Sequence, residues 1–405
     1  MSESEDSRSG VASDLPGVEI EVHARTDVGC VREHNEDSFL VADLSTGSRG
    51  LVPQVTRHVA GENGTLLLVC DGMGGAAAGE VASALAVETL FAEMMSAQST
   101  LLGEEAVAKA VRRAVRTANR RIVQSARANP GQRGMGTTLS GAVLCGDSLL
   151  LAQVGDSRGY LFRSGHLVQV TQDQSVAAAL IQAGRLSPEE ARSFAHSNII
   201  LQALGTSENV EAALSRVRLC HGDRLLLCSD GLHGQLSDAT IAQVLAEKSS
   251  LEEACSDLVT RVRAAGAPDN VTVVLARFTG KSLAVPANDD PPKHVELPPD
   301  EESERPTRIS RRMSARHAST SEDQSTGSEA STLASGPEES KAPSSTDSEP
   351  RDAQDEPKDD DNPGGSAPAQ VRIRSKSGIP KAAWIIAVFL LVALIAILFW
   401  KPSGG

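Results

Sequence analysis

Two stretches of this chain end an apolar run in an aspartate that is followed by glycine. The first covers residues 66–75 (LLLVCDGMGG) and the second residues 225–231 (LLLCSDG). An apolar run bounded by turn residues is typical of a buried strand. A carboxylate at the end of such a strand is costly unless a partner binds it, and a cation is the usual partner. The two strand ends therefore predict one shared site.

The composition divides the chain into a globular part and a long polar segment. Between about residues 18 and 280, apolar runs alternate with turn signals over a length sufficient for one large core. Residues 1–17 and 281–381 predict a disordered tail and a disordered acidic, Ser/Pro-rich linker. The stretch 281–370 has 20 acidic and 10 basic residues, which accounts for most of the net charge of −14. This balance predicts no nucleic-acid partner.

A segment near the C-terminus predicts a transmembrane helix. Residues 382–400 (AAWIIAVFLLVALIAILFW) carry no charge and have tryptophans near both ends. About 19 residues give about 28 Å of helix, against a hydrocarbon core about 30 Å thick. Basic residues are more numerous before this segment (Arg372, Arg374, Lys376 and Lys381) than after it (Lys401). We therefore expect a single-pass, tail-anchored protein of the cell membrane, with its folded domain cytoplasmic and a short tail at 401–405.

The cysteines give no sign of a disulfide framework or a zinc site. None of the six stands in a C-x-x-C pair, and the N-terminus has no secretory signal. Several lie in predicted strands, where cysteine behaves as a small hydrophobic residue. We expect all six thiols to be reduced.

The predicted elements favour an α+β domain. Apolar residues recur at helical spacing over 80–95 and 104–128, and the remainder predicts mainly strands. Hairpins are predicted over 160–170 and 216–228, and a closing strand over 271–278. Strands in hairpins with helices between them favour layered antiparallel sheets over a doubly wound parallel sheet.

Three further features are predicted to be unremarkable or mobile. Residues 176–197 are helical but poorly periodic, which suggests a flap. His196 and His233 are expected to be ordinary flap or loop residues. Several arginines of the second helix lie off its apolar stripe and predict a solvated basic face: Arg112, Arg113, Arg116, Arg120 and Arg121.

Carboxylates at strand ends and in turns predict a site for hard divalent cations. They are Glu36, Asp37, Asp71, Asp156, Asp230 and Asp269. Oxygen ligands suit Mg²⁺ or Mn²⁺, and no histidine cluster or thiolate pair competes for a metal. Two metal ions about 3.5–4 Å apart are a common device for hydrolysing phosphate esters. Arg32, beside the first acidic pair, is the candidate for holding phosphoryl oxygens.

A dinucleotide-binding loop is the rival interpretation. Gly72-x-Gly74-x-x-Ala77 follows a predicted strand and precedes a helix, as that fingerprint requires. However, Asp71 stands at the mouth of the loop and would repel a pyrophosphate. The downstream strands also lack βαβ alternation, so we disfavour a nucleotide fold.

Six short motifs occur in the order of a known family. They are Arg32-x-x-Asn35-Glu36-Asp37, Asp71-Gly72-Met73-Gly74-Gly75, Gly136-Thr137-Thr138, Gly155-Asp156-Ser157-Arg158, Ser229-Asp230-Gly231 and Asp269-Asn270-x-Thr272. Over about residues 18–280 the chain thus resembles the metal-dependent serine/threonine protein phosphatases of the type 2C class, of the bacterial type with a C-terminal transmembrane anchor. The resemblance implies a four-layer αββα sandwich, with antiparallel sheets flanked by helices and metal ions in a cleft at one end.

The resemblance also implies the metal ligands. Asp71 would bridge two Mn²⁺ or Mg²⁺ ions, and the Gly72 carbonyl would bind the first. Asp230 and Asp269 would complete the shell of the second ion. Asp156 matches the ligand of a third, weaker ion that is seen in bacterial members.

Other matched positions would serve the substrate or support the site. Arg32 matches the phosphate-binding arginine, and Glu36 and Asp37 match residues that hold metal-bound waters or lie beside them. Asn270 is expected to support the Asp269 loop, and residues 136–138 are expected to be structural.

The proton donor for the leaving group stays open. Many eukaryotic members have histidine at the position of Met73, and methionine cannot donate a proton. Bacterial members commonly share this methionine, so it indicates bacterial origin rather than inactivity. A water on a metal ion and His34 are the alternatives. An unchanged pH–rate profile in His34→Ala would exclude His34.

The implied function is hydrolysis of phosphoserine and phosphothreonine in proteins by a water that two metal ions activate. Phosphorylated proteins, and the Ser/Thr kinases that modify them, would be the partners at the cytoplasmic face of the membrane. One alternative is a stress-signalling phosphatase that acts on anti-sigma-factor antagonists. Another is a catalytically silent binding module of the same fold, which we disfavour because no ligand position is missing.

Overall fold

A computed structural model of the protein describes residues 17–74, 78–192, 194, 196 and 199–299. The predicted tail 1–17, apart from its last residue, and the predicted segments 382–400 and 401–405 lie outside this part. Most of the predicted linker does too. Among the described residues, no helix has both the length and the apolar composition needed to cross a membrane.

The strands form two antiparallel sheets. In chain order they are β1 (Glu19–Asp27), β2 (Asp37–Asp43), β3 (Arg57–Val59), β4 (Thr65–Met73), β5 (Gly136–Thr137), β6 (Leu139–Cys145), β7 (Ser148–Val154), β8 (Arg158–Arg163), β9 (His166–Gln169), β10 (Ala213–Arg218), β11 (Arg224–Cys228), β12 (Val271–Thr279) and β13 (His294–Leu297). One sheet has the order β3-β1-β12-β11-β8-β9, and the other β13-β10-β7-β6-β4-β2, with β5 paired to the end of β4.

Helices cover the outer faces of both sheets. They are α1 (Pro53–Thr56), α2 (Ala78–Ser96), α3 (Glu104–Ala128), α4 (Val176–Gln182), α5 (Pro188–Arg192), α6 (Asp230–His233), α7 (Asp238–Glu247) and α8 (Leu251–Ala264). Helices α2 and α3 pack on the seven-stranded sheet, and α6, α7 and α8 on the six-stranded sheet.

Strand β4 is buried on both faces, which explains why its sequence is apolar without alternation. Leu66, Leu68 and Cys70 face the core under α2 and α3. Leu67 and Val69 face the core between the two sheets. Because successive side chains of a strand point to opposite faces, a strand buried on both faces must be apolar throughout. The predicted α+β fold of two antiparallel sheets flanked by helices is confirmed.

One predicted hairpin is wrong and one is confirmed. Strands β8 and β9 pair as expected. Strands β10 and β11 do not pair, because β10 lies between β7 and β13 in one sheet and β11 between β12 and β8 in the other. Residues 219–223 therefore cross between the sheets. Local sequence does not show which sheet each strand joins. A hairpin turn and a connection between two sheets contain the same kinds of polar residue.

Two further features differ from the sequence predictions. Arg112 is buried, with 7% of its surface exposed, so the predicted solvated basic face is wrong for this residue. The predicted linker begins at residue 281, but the structure describes residues up to 299, including strand β13. The six cysteines are all free, as predicted.

Candidate metal centre

The predicted carboxylates meet at one end of the sandwich. Asp37 begins β2 directly opposite Asp71 near the end of β4. Asp230 follows β11 and Asp269 precedes β12, and these two strands are neighbours in the other sheet. Asp156 lies in the turn that leads from β7 to β8, and so from one sheet to the other. Both sheets therefore contribute acidic side chains to one cleft.

These carboxylates are close enough to change one another's pKa values. The pKa of Asp71 is raised well above its ordinary value, first by burial and then by the negative charges of Asp37, Asp230, Asp156 and Asp269. The pKa of Asp230 is raised by burial and by Asp269, against a hydrogen bond with Asp71. Mutual repulsion of this kind is relieved when a cation binds between the carboxylates.

Asp37 has a buried oxygen atom that lacks a partner. Its Oδ2 accepts a hydrogen bond of 2.8 Å from Ser229 Oγ. Its Oδ1 is buried and has no hydrogen-bond partner among the described residues. Burial, followed by repulsion from Asp230 and Asp269, raises its pKa to about 7, although hydrogen bonds from Ser229 and Thr272 oppose the rise. An unpartnered buried oxygen indicates a missing ligand or water.

The Asp156 turn is held by a residue that sequence reasoning passed over. Burial, and then the charges of Asp230 and Asp173, raise the pKa of Asp156 to about 7. His233 Nε2 lies 3.0 Å from the backbone oxygen of Asp156. Burial lowers the pKa of His233 to about 3, so the ring is neutral and donates to that oxygen. His233 is therefore part of the site's support, contrary to the sequence prediction.

Arg32 lies at the mouth of the cleft. Its Nη2 donates to Asp269 Oδ2 at 2.7 Å, and the two side chains are 50% and 37% exposed. This hydrogen bond raises the pKa of Arg32, with further contributions from Glu36 and Asp71. Glu36 lies nearby, with its side chain against Gly79 at the start of α2. The predicted phosphate-binding group and the predicted metal ligands thus lie in one place.

Asn270 joins the two halves of the site. Its Oδ1 accepts from the backbone N–H of Glu36 at 2.8 Å. Its Nδ2 donates to the backbone oxygens of Val28 and His34, both at 2.9 Å. The side chain therefore fixes the loop that carries Arg32, whereas the sequence predicts only that it supports the Asp269 loop.

Two threonines fix the end of β4. Thr138 Oγ1 accepts from the backbone N–H of Asp71 at 3.0 Å, and Thr137 Oγ1 donates to the Asp71 backbone oxygen at 2.9 Å. Gly72 is required at the next position, because a Cβ there would lie 2.3 Å from Gly79 O and 2.5 Å from Glu36 O. These contacts give residues 136–138 the structural role that was expected.

The donor set fits Mn²⁺ or Mg²⁺. Among the described residues, no group of three His, Cys, Asp or Glu side chains has a ready-made ligand arrangement. The cleft nevertheless combines crowded carboxylates with an unpartnered buried oxygen, and hard cations take such oxygens together with backbone carbonyls and waters. Asp71, Asp230 and Asp269 would be the direct ligands, with the Gly72 carbonyl, and Asp156 lies beside them.

The family follows from comparison with known proteins. Residues 54–276 match the family model described as protein phosphatase 2C. The chain belongs to the protein phosphatase 2C family. It is 36% identical over 251 residues to the serine/threonine phosphatase stp of Listeria welshimeri, covering 62% of this chain and 93% of that protein. The predicted enzyme class, a protein-serine/threonine phosphatase, is confirmed.

Mycobacterial relatives add structural comparisons. The serine/threonine protein phosphatase PstP of Mycobacterium tuberculosis is 40% identical over 253 residues, but the match spans 62% of this chain and 44% of PstP. A crystal structure of the mycobacterial phosphatase superposes with a TM-score of 0.54 at 36% identity, covering 64% of this chain and 99% of that one. The catalytic domain of PstP in complex with two manganese ions gives a TM-score of 0.52 at 36% identity, over 65% and 99% of the two chains. The structure with two manganese ions supports metal dependence.

Proposed function

We propose that this phosphatase hydrolyses phosphoserine and phosphothreonine in proteins with two Mn²⁺ or Mg²⁺ ions in the cleft between its sheets. The observation that carries the proposal is the placement of Arg32 at the mouth of the carboxylate cluster. When bound, such ions lower the pKa of water and neutralise charge on the phosphoryl group.

The residues of the chain would divide the remaining work. Asp71, Asp230, Asp269 and the Gly72 carbonyl would hold the ions. Arg32 would leave Asp269 and offer its planar guanidinium to two phosphoryl oxygens, which orients the group and stabilises its charge. A cation that takes over the Asp269 carboxylate would free Arg32 for this task.

Neighbouring groups keep this arrangement in place. Asn270 holds the loop of Arg32 and Glu36 against the Asp269 turn. Asp37 would accept hydrogen bonds from waters through its free oxygen. Asp156 would bind a third ion, and His233 fixes its backbone.

The decisive experiment compares two aspartates on the same scaffold. With Mn²⁺, the protein is expected to release phosphate from a phosphothreonine peptide, and Asp230→Asn is expected to abolish release, because Asp230 is a buried member of the cluster. Asp147→Asn is the control, since Asp147 lies in the turn before β7, at the opposite end from Asp156. Hydrolysis that survives both EDTA and Asp230→Asn would refute the metal mechanism.

The cellular setting is part of the same proposal. The apolar segment 382–400 would anchor the phosphatase at the cytoplasmic face of the cell membrane, where Ser/Thr kinases and their targets would supply its substrates. The test is fractionation: the full chain should sediment with membranes, and a chain ending at residue 381 should not. A comparison of phosphoproteomes with and without the gene would identify the substrates.

A further inference from the structure

Residues 281–299, here called the clasp, leave the last strand of the six-stranded sheet and cross to the other sheet. Leu283 is buried with the core between the sheets. Asp290 pairs with the buried Arg163 of β8 at 3.6 Å. Strand β13 then adds to the edge of β10, with His294 opposite Val217. The clasp therefore joins β8 of the six-stranded sheet to β10 of the seven-stranded sheet.

The clasp ends on a buried arginine of the outer helix layer. Arg112, on α3, donates from Nη2 to the backbone oxygen of Pro298 at 2.5 Å. Its Nη1 lies 3.7 Å from Glu211 Oε1. Burying a guanidinium is expensive unless its donors are used, so this arginine strongly constrains both partners.

A cavity separates the clasp from Gln174 and Gln202, which flank the predicted flap and are here called the flap base. Its volume is about 380 Å³, and its lining includes Arg112, Gln153, Gln174, Gln202, Leu297 and Pro299. Residues of the clasp and of the flap base thus face the same space.

Hydrogen bonds continue from Glu211 into the flap base. The Gln202 side chain donates to Glu211 O at 2.7 Å and accepts from Glu211 N at 3.2 Å. The same Gln202 amide donates to Gln174 Oε1 at 3.0 Å. The clasp contact at Arg112 is therefore linked to Gln174 through two residues.

Gln174 is fastened to the turn that carries Asp156. Its Oε1 accepts from the backbone N–H of Gly155 at 3.0 Å, and its own N–H donates to Gly155 O at 2.8 Å. Gly155 directly precedes Asp156. A chain of polar contacts thus connects the end of the clasp with one carboxylate of the metal centre.

We propose that Arg112 is a positioning residue: held by the clasp, it fixes the Asp156 turn through Glu211, Gln202 and Gln174, and thereby sets the affinity of Asp156 for a third Mn²⁺ ion. This inference rests on the proposed function only in assigning a cation to Asp156. Outer contacts of a metal site commonly change its affinity by about 10–100-fold.

The test uses two variants of the full chain. Each disturbs the chain of polar contacts between the clasp and the Asp156 turn at a different point. Arg112→Gln removes the guanidinium, and Val295→Pro is intended to weaken the pairing of β13 with β10 by restricting the backbone opposite Arg216. Their matched controls are Arg113→Gln, a neighbouring exposed arginine that pairs with Glu93, and Val295→Thr, which keeps a β-branched residue in the strand. Arg112→Lys retains the positive charge but not the planar guanidinium. Its hydrogen exchange and its Kd for Mn²⁺ should lie between those of wild type and Arg112→Gln.

Two measurements distinguish positioning from a merely stabilising role. Hydrogen exchange at the Gly155, Gln174 and Glu211 amides should quicken about fivefold in Arg112→Gln and Val295→Pro, the effect of losing about one hydrogen bond, and should not change in the controls. The Kd of the third Mn²⁺ ion, the one assigned to Asp156, should rise about tenfold in the same two variants when titrated by calorimetry.

Each outcome decides the proposal. Unchanged exchange at these amides in Arg112→Gln would overturn it, and so would quicker exchange with an unchanged Kd for Mn²⁺. Because neither measurement needs turnover, an inactive wild-type chain would refute the proposed function while leaving a positive result for Arg112 intact.

Discussion

Asp37→Asn is expected to stabilise the metal-free protein at neutral pH. Burial raises the pKa of Asp37 from 3.8 to about 7, and its Oδ1 is buried without a partner among the described residues. The folded state therefore binds one more proton than the unfolded state between these two values. Stability from this group is fully present below pH 3.8 and is lost as the pH rises through 7.

The magnitude follows from the same rise in pKa. An increase from 3.8 to about 7 corresponds to a loss of about 4 kcal/mol at pH 7 and above. Asparagine removes the charge and can still bond Ser229, but it leaves a buried amide group unpaired at a cost of about 1–3 kcal/mol. The net expectation is a gain of about 1–3 kcal/mol in EDTA at pH 8.

Urea unfolding in EDTA, followed by far-ultraviolet circular dichroism, measures this difference. Fluorescence is unsuitable because both tryptophans, Trp384 and Trp400, lie in the predicted membrane segment. Between pH 5 and pH 8, wild type should lose about 3 kcal/mol more than Asp37→Asn, because the raised pKa values of Asp71 and Asp156 act in both chains. With Mn²⁺ present the order should reverse, since the cation stabilises the wild-type carboxylate. A variant with the wild-type pH dependence, or one less stable than wild type in EDTA at pH 8, would refute the reasoning.

Three further substitutions test the supports of the site. His233→Gln should reduce acid destabilisation between pH 6.5 and 3, because the pKa of His233 is lowered to about 3 and its protonation favours unfolding; urea unfolding at pH 4 and 7 checks this. Asn270→Ala should lower kcat/KM by about 10–100-fold, since the Asn270 side chain links the Glu36 backbone to the opposite turn; an unchanged kcat/KM in steady-state kinetics would contradict this. Gly72→Ala should abolish Mn²⁺ binding in calorimetry, because its Cβ would lie 2.3 and 2.5 Å from two backbone oxygens. If the variant bound Mn²⁺ with wild-type affinity, the argument that only glycine fits at the end of β4 would be wrong.

Motifs and hydrophobic periodicity correctly predict the elements whose bounds depend on local sequence. Helix α3 was predicted over 104–128 and has those bounds, and strand β4 lies within one residue of the start of its apolar run. The hairpin predicted between β10 and β11 failed, because pairing of those strands is decided by which sheet each one joins. A turn sequence carries no information on that choice.

The sequence predicts the chemistry of the site because two apolar strands end in Asp-Gly pairs. A buried carboxylate at such a strand end needs a partner, and a cation is the usual one. The sequence determined the donor types and the family, and it predicts that Arg32 binds phosphate. Only the tertiary structure decided that Asp37 lies opposite Asp71, that His233 holds the Asp156 turn, and that the clasp reaches Arg112. Those contacts join residues far apart in the chain, and a buried arginine on a helix looks the same in sequence as a solvated one. Burial and partner choice are properties of packing, so they appear only when the layers are assembled.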